Sequence, residues 1–269
     1  MKTYAIGDVY GRADLLAATL TFIENDNRGA PSGYRVIFLG DIIDRGPNSK
    51  AAMDLVVAEL QRRSASRLIL GNHEEFLLLF LARPDKRHVV FDHWMSNGGL
   101  AAAASYGLDL KRPYSRIDDA HNALLGLLQS HPGHIAALRN ASSHFVANEY
   151  IFVHAGLRPG VPMADQTEKD MRTIRSDFLN CPYDFGRKVV HGHTETRSGR
   201  PEVYGNRIAL DTAASATDVL STLAMETTKD NRFFATRSGR TGIEVSLVNP
   251  AVFLTLDDVE HDVAKRRRA

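Results

Sequence analysis

Gly40-Asp41-Ile42-Ile43-Asp44-Arg45-Gly46 follows directly on the apolar run Val36-Ile37-Phe38-Leu39. A short run rich in β-branched and aromatic residues describes a strand buried on both faces, and the abrupt change to Gly, Asp and Arg marks its end. The same juncture recurs along the chain. Tyr4 to Ile6 precedes Gly7-Asp8-Val9-Tyr10-Gly11, Leu68 to Leu70 precedes Gly71-Asn72-His73-Glu74, Tyr150 to Val153 precedes His154-Ala155-Gly156, and Val189-Val190 precedes His191-Gly192-His193. Polar residues therefore sit at strand ends, where loops on one edge of a rigid sheet gather Asp, Asn and His from distant sequence into one cleft.

Between these junctures, residues 2 to 75 alternate strand and helix, with helices expected at Asp14 to Glu24 and Ser49 to Arg63. That βαβ alternation implies parallel pairing. From residue 76 to about 141 the pattern turns helical, broken by Pro84, Pro113 and Pro132, and reads as an insertion beside the cleft. Strands are expected again at Phe145 to Val153, Lys188 to His191, Arg207 to Leu210, Ser221 to Glu226, Arg232 to Ala235 and Glu244 to Val248, building a second sheet. The fold class is α/β, a sandwich of two mixed sheets flanked by helices, in a single domain over residues 1–250. Residues 251–269 read as a C-terminal extension ending in the basic run Lys265-Arg266-Arg267-Arg268, expected to be solvated.

Composition narrows the function classes. Lysine plus arginine (33) nearly cancels aspartate plus glutamate (32), so no global field favours nucleic acid or an anionic membrane as partner. A single cysteine, Cys181, excludes an intrachain disulfide framework and a multi-cysteine zinc site. Met1-Lys2-Thr3 runs straight into a strand and leaves no room for a cleaved signal peptide, so a cytoplasmic protein is expected. The apolar stretch Phe76 to Leu81 is far short of the roughly 20 residues that span a bilayer.

The polar residues at the junctures suit a two-metal centre. A carboxylate can bridge two divalent ions about 3.5–4 Å apart, which generate hydroxide from water and clamp an in-line phosphoryl displacement. Asp41 is the candidate bridge, with Asp8 on the first ion and Asn72, His154 and His193 on the second. This mixed oxygen and nitrogen set suits Mn, Fe, Zn or Co. His191 and His193 alternate on a strand end and point to opposite faces, so only one easily reaches the ions.

In these motifs the chain resembles the phosphoprotein phosphatase family of the calcineurin-like metallophosphoesterases, in its bacterial branch. The likeness covers roughly residues 2 to 225. It extends to Trp94 with Asn97-Gly98-Gly99, Ser105-Tyr106-Gly107, Val153 to Gly160, Ile174-Arg175 and Ala209-Leu210-Asp211-Thr212. The Asp44-Arg45 and His73-Glu74 pairs favour protein phosphatases of that family over its diadenosine tetraphosphate hydrolases. The resemblance implies two divalent or mixed-valence ions (Mn, Fe or Zn), Asp8 and Asp41 on the first, and Asp41, Asn72, His154 and His193 on the second. It also implies Arg45 and Arg175 on the substrate phosphate, and His73 as general acid oriented by Asp44. These roles suit the chemistry of the side chains: a guanidinium fork matches two phosphate oxygens, and an imidazole raised by a carboxylate can protonate a departing alkoxide. Arg172 and Arg175 would share a helical face, and the resemblance selects Arg175. Asp211 is expected to support the loops or a turn.

One position departs from the family. Tyr10 stands where the family has a histidine on the first ion. A phenol is a poor ligand for Zn or Mn at neutral pH, whereas a ferric ion can deprotonate it. Three states are open: a first site retained with altered ligation, a ferric site with Tyr10 as ligand, or a first site largely lost. The function expected is a metal-dependent phosphomonoesterase acting on phosphorylated peptides or small phosphoesters through a metal-bridging hydroxide. The alternatives are a diadenosine polyphosphate or nucleotide hydrolase, and a weakly active phosphate-binding pseudo-phosphatase.

Overall fold

Lys2–Ile6 (β1), Tyr34–Phe38 (β2) and Arg67–Leu68 (β3) lie side by side as parallel strands, with Tyr4 opposite Val36 and Phe38 opposite Leu68. Ala13–Asp26 (α1) and Ser49–Arg62 (α2) make the two crossovers, as the alternating pattern predicts. Asn48 starts α2 by accepting the Ala51 N–H on its side chain, which satisfies one of the helix's unpaired donors. The computed structural model describes residues 1–29, 33–226 and 229–253. The basic run Lys265 to Arg268 lies outside the described residues.

The segment after β3 is helical as expected: Asn72–Ala82 (α3), Arg87–Trp94 (α4), Leu100–Ser105 (α5), Ile117–Gln129 (α6) and Pro132–Arg139 (α7). The expected strand Phe145 to Val153 is instead a hairpin, His144–Ala147 (β4) against Tyr150–Val153 (β5). Asn148 makes the turn at φ 52°, a left-handed conformation that Asn tolerates. Glu168–Thr173 (α8) and Ser176–Leu179 (α9) precede Lys188–His191 (β6).

The remaining strands divide between the sheets, which corrects the expectation of a second sheet made from all of them. Glu202–Tyr204 (β7), Arg207–Ala209 (β8) and Ala251–Phe253 (β12) join β4, β5 and β6 in the order β12-β7-β8-β6-β5-β4. Val219–Glu226 (β9), Lys229–Gly239 (β10) and Gly242–Val248 (β11) instead complete the first sheet, β11-β10-β9-β1-β2-β3, with β9 antiparallel to β1. Periodicity identifies a strand but does not choose its neighbour. β12 pairs with β7 beyond residue 250, so the sheet crosses the boundary drawn from sequence.

Alternation along each strand separates three layers of packing. Tyr4, Ile6, Val36 and Phe38 meet Leu15, Leu16, Met53 and Val56 of α1 and α2. Ala5, Ile37 and Leu39 face Phe152, Val190 and Ile208 between the sheets. Ile151, Val153 and Val189 pack outward on Met171, Ile174 and Phe178. Burial on both faces is why the strands read as continuous apolar runs. No helix among the described residues is long and apolar enough to cross a membrane.

Candidate metal centre

The parallel strands of both sheets end on the same edge. Asp8 follows β1, Asp41 follows β2 and Asn72 opens α3 beyond β3, while His154 follows β5, His193 follows β6 and Asp211 follows β8. The loops reverse so tightly there that Tyr10, Asp41, Asp44, Arg45 and His193 all take left-handed conformations, with φ of 46°, 48°, 74°, 60° and 64°. Each costs on the order of 1 kcal/mol, so something must hold it.

Glu74 holds the central loop. Its Oε2 accepts from the backbone N–H of Asp41 (2.9 Å) and Gly71 (3.0 Å), and its Oε1 from Ile42 (2.7 Å) and Ile43 (3.2 Å). Further along, the Asp44 N–H donates to Ser49 Oγ (2.9 Å) and the Arg45 N–H to the Gly98 carbonyl (3.1 Å). Close approach also demands glycine: a Cβ at Gly192 would fall 1.8 Å from Asp8 Oδ1, and one at Gly98 would fall 2.7 Å from Arg45 Cγ.

Asp41, His154 and His193 are all buried, and one donor atom from each lies within 4.8 Å of the others. His154 donates its Nδ1–H to the Leu39 carbonyl (2.8 Å), which turns Nε2 inward to face Asn72 Oδ1 (3.1 Å) and Asp41 Oδ1 (3.4 Å). His193 Nε2 is buried with no hydrogen-bond partner. Burial, helped by His154 and Arg175, pushes the His193 pKa down to about 3, leaving a neutral imidazole with a free lone pair. Burial alone would raise Asp41, but the positive charge of His154 and His73 outweighs it and keeps the carboxylate ionised. A converging set of amide oxygen, carboxylate and two imidazoles, with one nitrogen unpaired, fits a divalent cation. Asp8 stands beside this set, its Oδ2 accepting the His193 N–H at 3.0 Å.

Tyr10 turns its hydroxyl to Asp41 Oδ2, donating at 3.1 Å. Burial, followed by the nearby Asp41, Asp8 and Asp211 carboxylates, pushes its pKa well above the usual phenol value, so it acts as a donor. The Arg45 guanidinium lies 4.2 Å over its ring.

His73 links the remaining groups. Its Nδ1 is 2.7 Å from Asp44 Oδ2, and its Nε2 is 3.3 Å from Arg45 Nη2. Asp44 is pinned in turn by the Trp94 indole N–H, at 3.0 and 2.9 Å from its two oxygens. Burial would lower His73, yet Asp41 and Asp44 outweigh it and its pKa is raised.

Arg172 and Arg175 do not share a helix face, because Ile174 is extended between α8 and α9. Arg172 is buried in ion pairs with Glu75 (2.8 Å) and Glu168 (3.1 Å). Arg175 is exposed and donates to Thr194 Oγ1 (3.3 Å), next to His193. His191 packs edge-on against Phe178, with ring centroids 5.1 Å apart, and stands apart from the three-residue cluster. Sequence reasoning missed the work of Glu74 and Trp94, although the Gly98-Gly99 pair after Trp94 was a signal that a backbone comes close.

The calcineurin-like phosphoesterase profile matches residues 1–219. The chain belongs to that family. Among its relatives, the zinc-dependent endopolyphosphatase of Saccharomyces cerevisiae is 24% identical over 163 residues, covering 58% of this chain and 47% of the relative. The symmetrical bis(5'-nucleosyl)-tetraphosphatase of Janthinobacterium is 40% identical over 88 residues, covering 33% of this chain and 30% of that protein. The chain thus spans less than half the length of these relatives. A solved cold-active protein tyrosine phosphatase superposes with a TM-score of 0.51 at 18% identity, covering 93% of this chain and 79% of its own, and so shares the fold.

Because Glu74 pairs four buried N–H groups, Glu74→Ala is expected to lower stability by about 4 kcal/mol, and Glu74→Gln by about half that. Urea denaturation with an unchanged m-value measures this. A loss under about 1 kcal/mol for Glu74→Ala would show that the loop stands without the clamp.

Proposed function

We propose that this family member is a metal-dependent phosphomonoesterase of the protein serine/threonine phosphatase type, acting on phosphorylated peptides or small phosphoesters. The observation that carries the reading is the line Trp94, Asp44, His73, Arg45, which ends beside Asp41 with an imidazole next to a guanidinium. A phosphoryl group held by Arg45 and Arg175 would meet two guanidinium forks from separate loops, one beside His73 and the other beside Thr194, next to His193. His73, oriented through Nδ1 by Asp44, would deliver the proton on Nε2 to the departing oxygen. Two Mn, Fe or Zn ions, held by Asp8, Asp41, Asn72, His154 and His193, would supply an acidified water and positive charge for the phosphoryl oxygens.

A second reading, hydrolysis of dinucleoside polyphosphates, draws support from the Janthinobacterium relative. Both share the centre and differ in the leaving group. Turnover of a phosphopeptide against diadenosine tetraphosphate separates them, and a kcat/KM higher for the dinucleotide would replace the first reading with the second.

In this reading Asp41 would touch both ions, so Asp41→Asn is expected to lower kcat by several decades with the fold intact, since the amide still accepts the His73 N–H. Near-parental turnover in saturating Mn would refute the two-ion assignment.

His73→Asn is expected to damage turnover of alkyl phosphates far more than of activated aryl phosphates, because only the former need a proton delivered. The raised pKa keeps His73 protonated above the ordinary imidazole value of 6.5. The rate on alkyl phosphates should therefore hold through 6.5 and fall only at higher pH, with that alkaline limb absent from the variant. Equal losses on both substrate types would make His73 structural.

Tyr10→His is expected to raise metal occupancy and turnover at least about tenfold, because it supplies a neutral nitrogen ligand. If Tyr10 is a ferric ligand, the iron-loaded parent shows a visible phenolate band that the variant lacks. Unchanged occupancy and rate would show that position 10 does not limit the site, and a rate that stays negligible with both ions bound would favour a phosphate-binding role.

A further inference from the structure

Three polar atoms at this edge of the sheets have no hydrogen-bond partner: Asp8 Oδ1 and Asp211 Oδ2, and, in the cluster with Asp41 and His154, His193 Nε2. Their residues are 1%, 0% and 7% exposed, so bulk solvent does not reach them. Buried, unpaired polar atoms are uncommon, and a buried carboxylate oxygen without a partner leaves its desolvation unanswered. Asp8 and Asp211 leave the two facing sheets at adjoining points. A Cβ at Gly7 would lie 2.3 Å from the Leu210 carbonyl oxygen, so the residues just before each carboxylate touch through their backbones. Asp211 also bears on Asp8 electrostatically more strongly than Asp41 does.

We propose that Asp211 is a carboxylate ligand of the ion beside Asp8, in the donor set that Tyr10 leaves without an imidazole; this rests on the metal-dependent reading above. The Asp211 side chain is already aimed. Its Oδ1 accepts the Ala213 N–H at 2.8 Å, which fixes the carboxylate plane and leaves Oδ2 free. A turn-forming role explains Oδ1 alone, since an Asn would serve it equally. Tyr10 donates its hydroxyl to Asp41 Oδ2 and also lies within reach of Asp8, so as a neutral phenol it steadies both carboxylates without neutralising either. A divalent cation between Asp8 and Asp211 answers both unpaired oxygens and their mutual repulsion at once.

The test compares the full chain with Asp211→Asn, which keeps the acceptor for Ala213. Both are stripped with a chelator and titrated with Mn(II), followed by calorimetry, by the electron paramagnetic resonance of bound Mn(II) and by the thermal midpoint. The parent is expected to take up two ions. In Asp211→Asn one ion should weaken about ten- to a hundredfold while the other holds, and the stripped variant should melt no lower than the stripped parent. Asp211→Ser, which also accepts from Ala213, gives the same comparison should the Asn variant fold poorly. Two ions bound with parental affinities in the variants, or a single parental ion that the variants leave unchanged, would overturn the assignment. A fall in the stripped midpoint with both affinities intact would overturn it too, making Asp211 a turn residue. A parent that takes up no Mn(II) would overturn the proposed function as well, so the two failures are told apart.

Discussion

Negative charge concentrated where parallel strands end is the constraint on which the rest of this structure depends. Asp8, Asp41 and Asp211 are each at most 1% exposed and lie within electrostatic reach of one another. Burial pushes Asp8 up, and Asp211 up to about 6, whereas Asp41, facing His154 and His73, is held down. Only one of the three thus has enough positive charge beside it within the protein itself. The neighbourhood is arranged around that shortage: a phenol donates to Asp41, two backbone N–H groups reach Asp8 and Asp211, and a guanidinium covers the phenol.

What was legible in the sequence was whatever local juxtaposition encodes. Asp41 and Asn72 could be placed at strand ends because apolar runs stop abruptly in front of their motifs, and the same holds for His154 and His193. The crossovers α1 and α2 were legible for the same reason, since the period changes between runs. Partner choice was not legible. Ser221 to Glu226 reads as a strand equally well beside β1 or beside β8, and only the register with Tyr4 and Ile6 shows which edge it covers. Nor could one helix be told from two around Arg172 and Arg175, because the break at Ile174 has no Gly or Pro to announce it. Glu74 and Trp94 were noticed only as members of motifs. Their tasks are contacts across about 30 and 50 residues of chain, and spacing carries no trace of such contacts.

The left-handed residues at the centre have a common logic. Tyr10, Asp41, Asp44, Arg45 and His193 are strained where they stand, and glycine at those positions would relieve the strain while removing the side chain the site needs. The protein keeps the side chain and distributes the restraint among groups with no chemical role of their own, chiefly the Glu74 carboxylate, Ser49 and the Gly98 carbonyl. Such a loop is preorganised before any substrate arrives.

The donors are also divided by sheet. Of the donors proposed for the ions, Asp8, Asp41 and Asn72 offer oxygen from the first sheet, whereas the second supplies both imidazoles, His154 and His193, along with the Asp211 carboxylate. The spacing between the donors of the two sheets is therefore set by how the sheets pack over one another, through Ile37, Leu39, Phe152 and Val190. A small shear between the sheets would alter the fit for one metal relative to another without changing a ligand. The fit of the proposed site to one metal over another would in that sense be a mechanical property of the hydrophobic interior, open to tuning by a methyl group well away from the cleft.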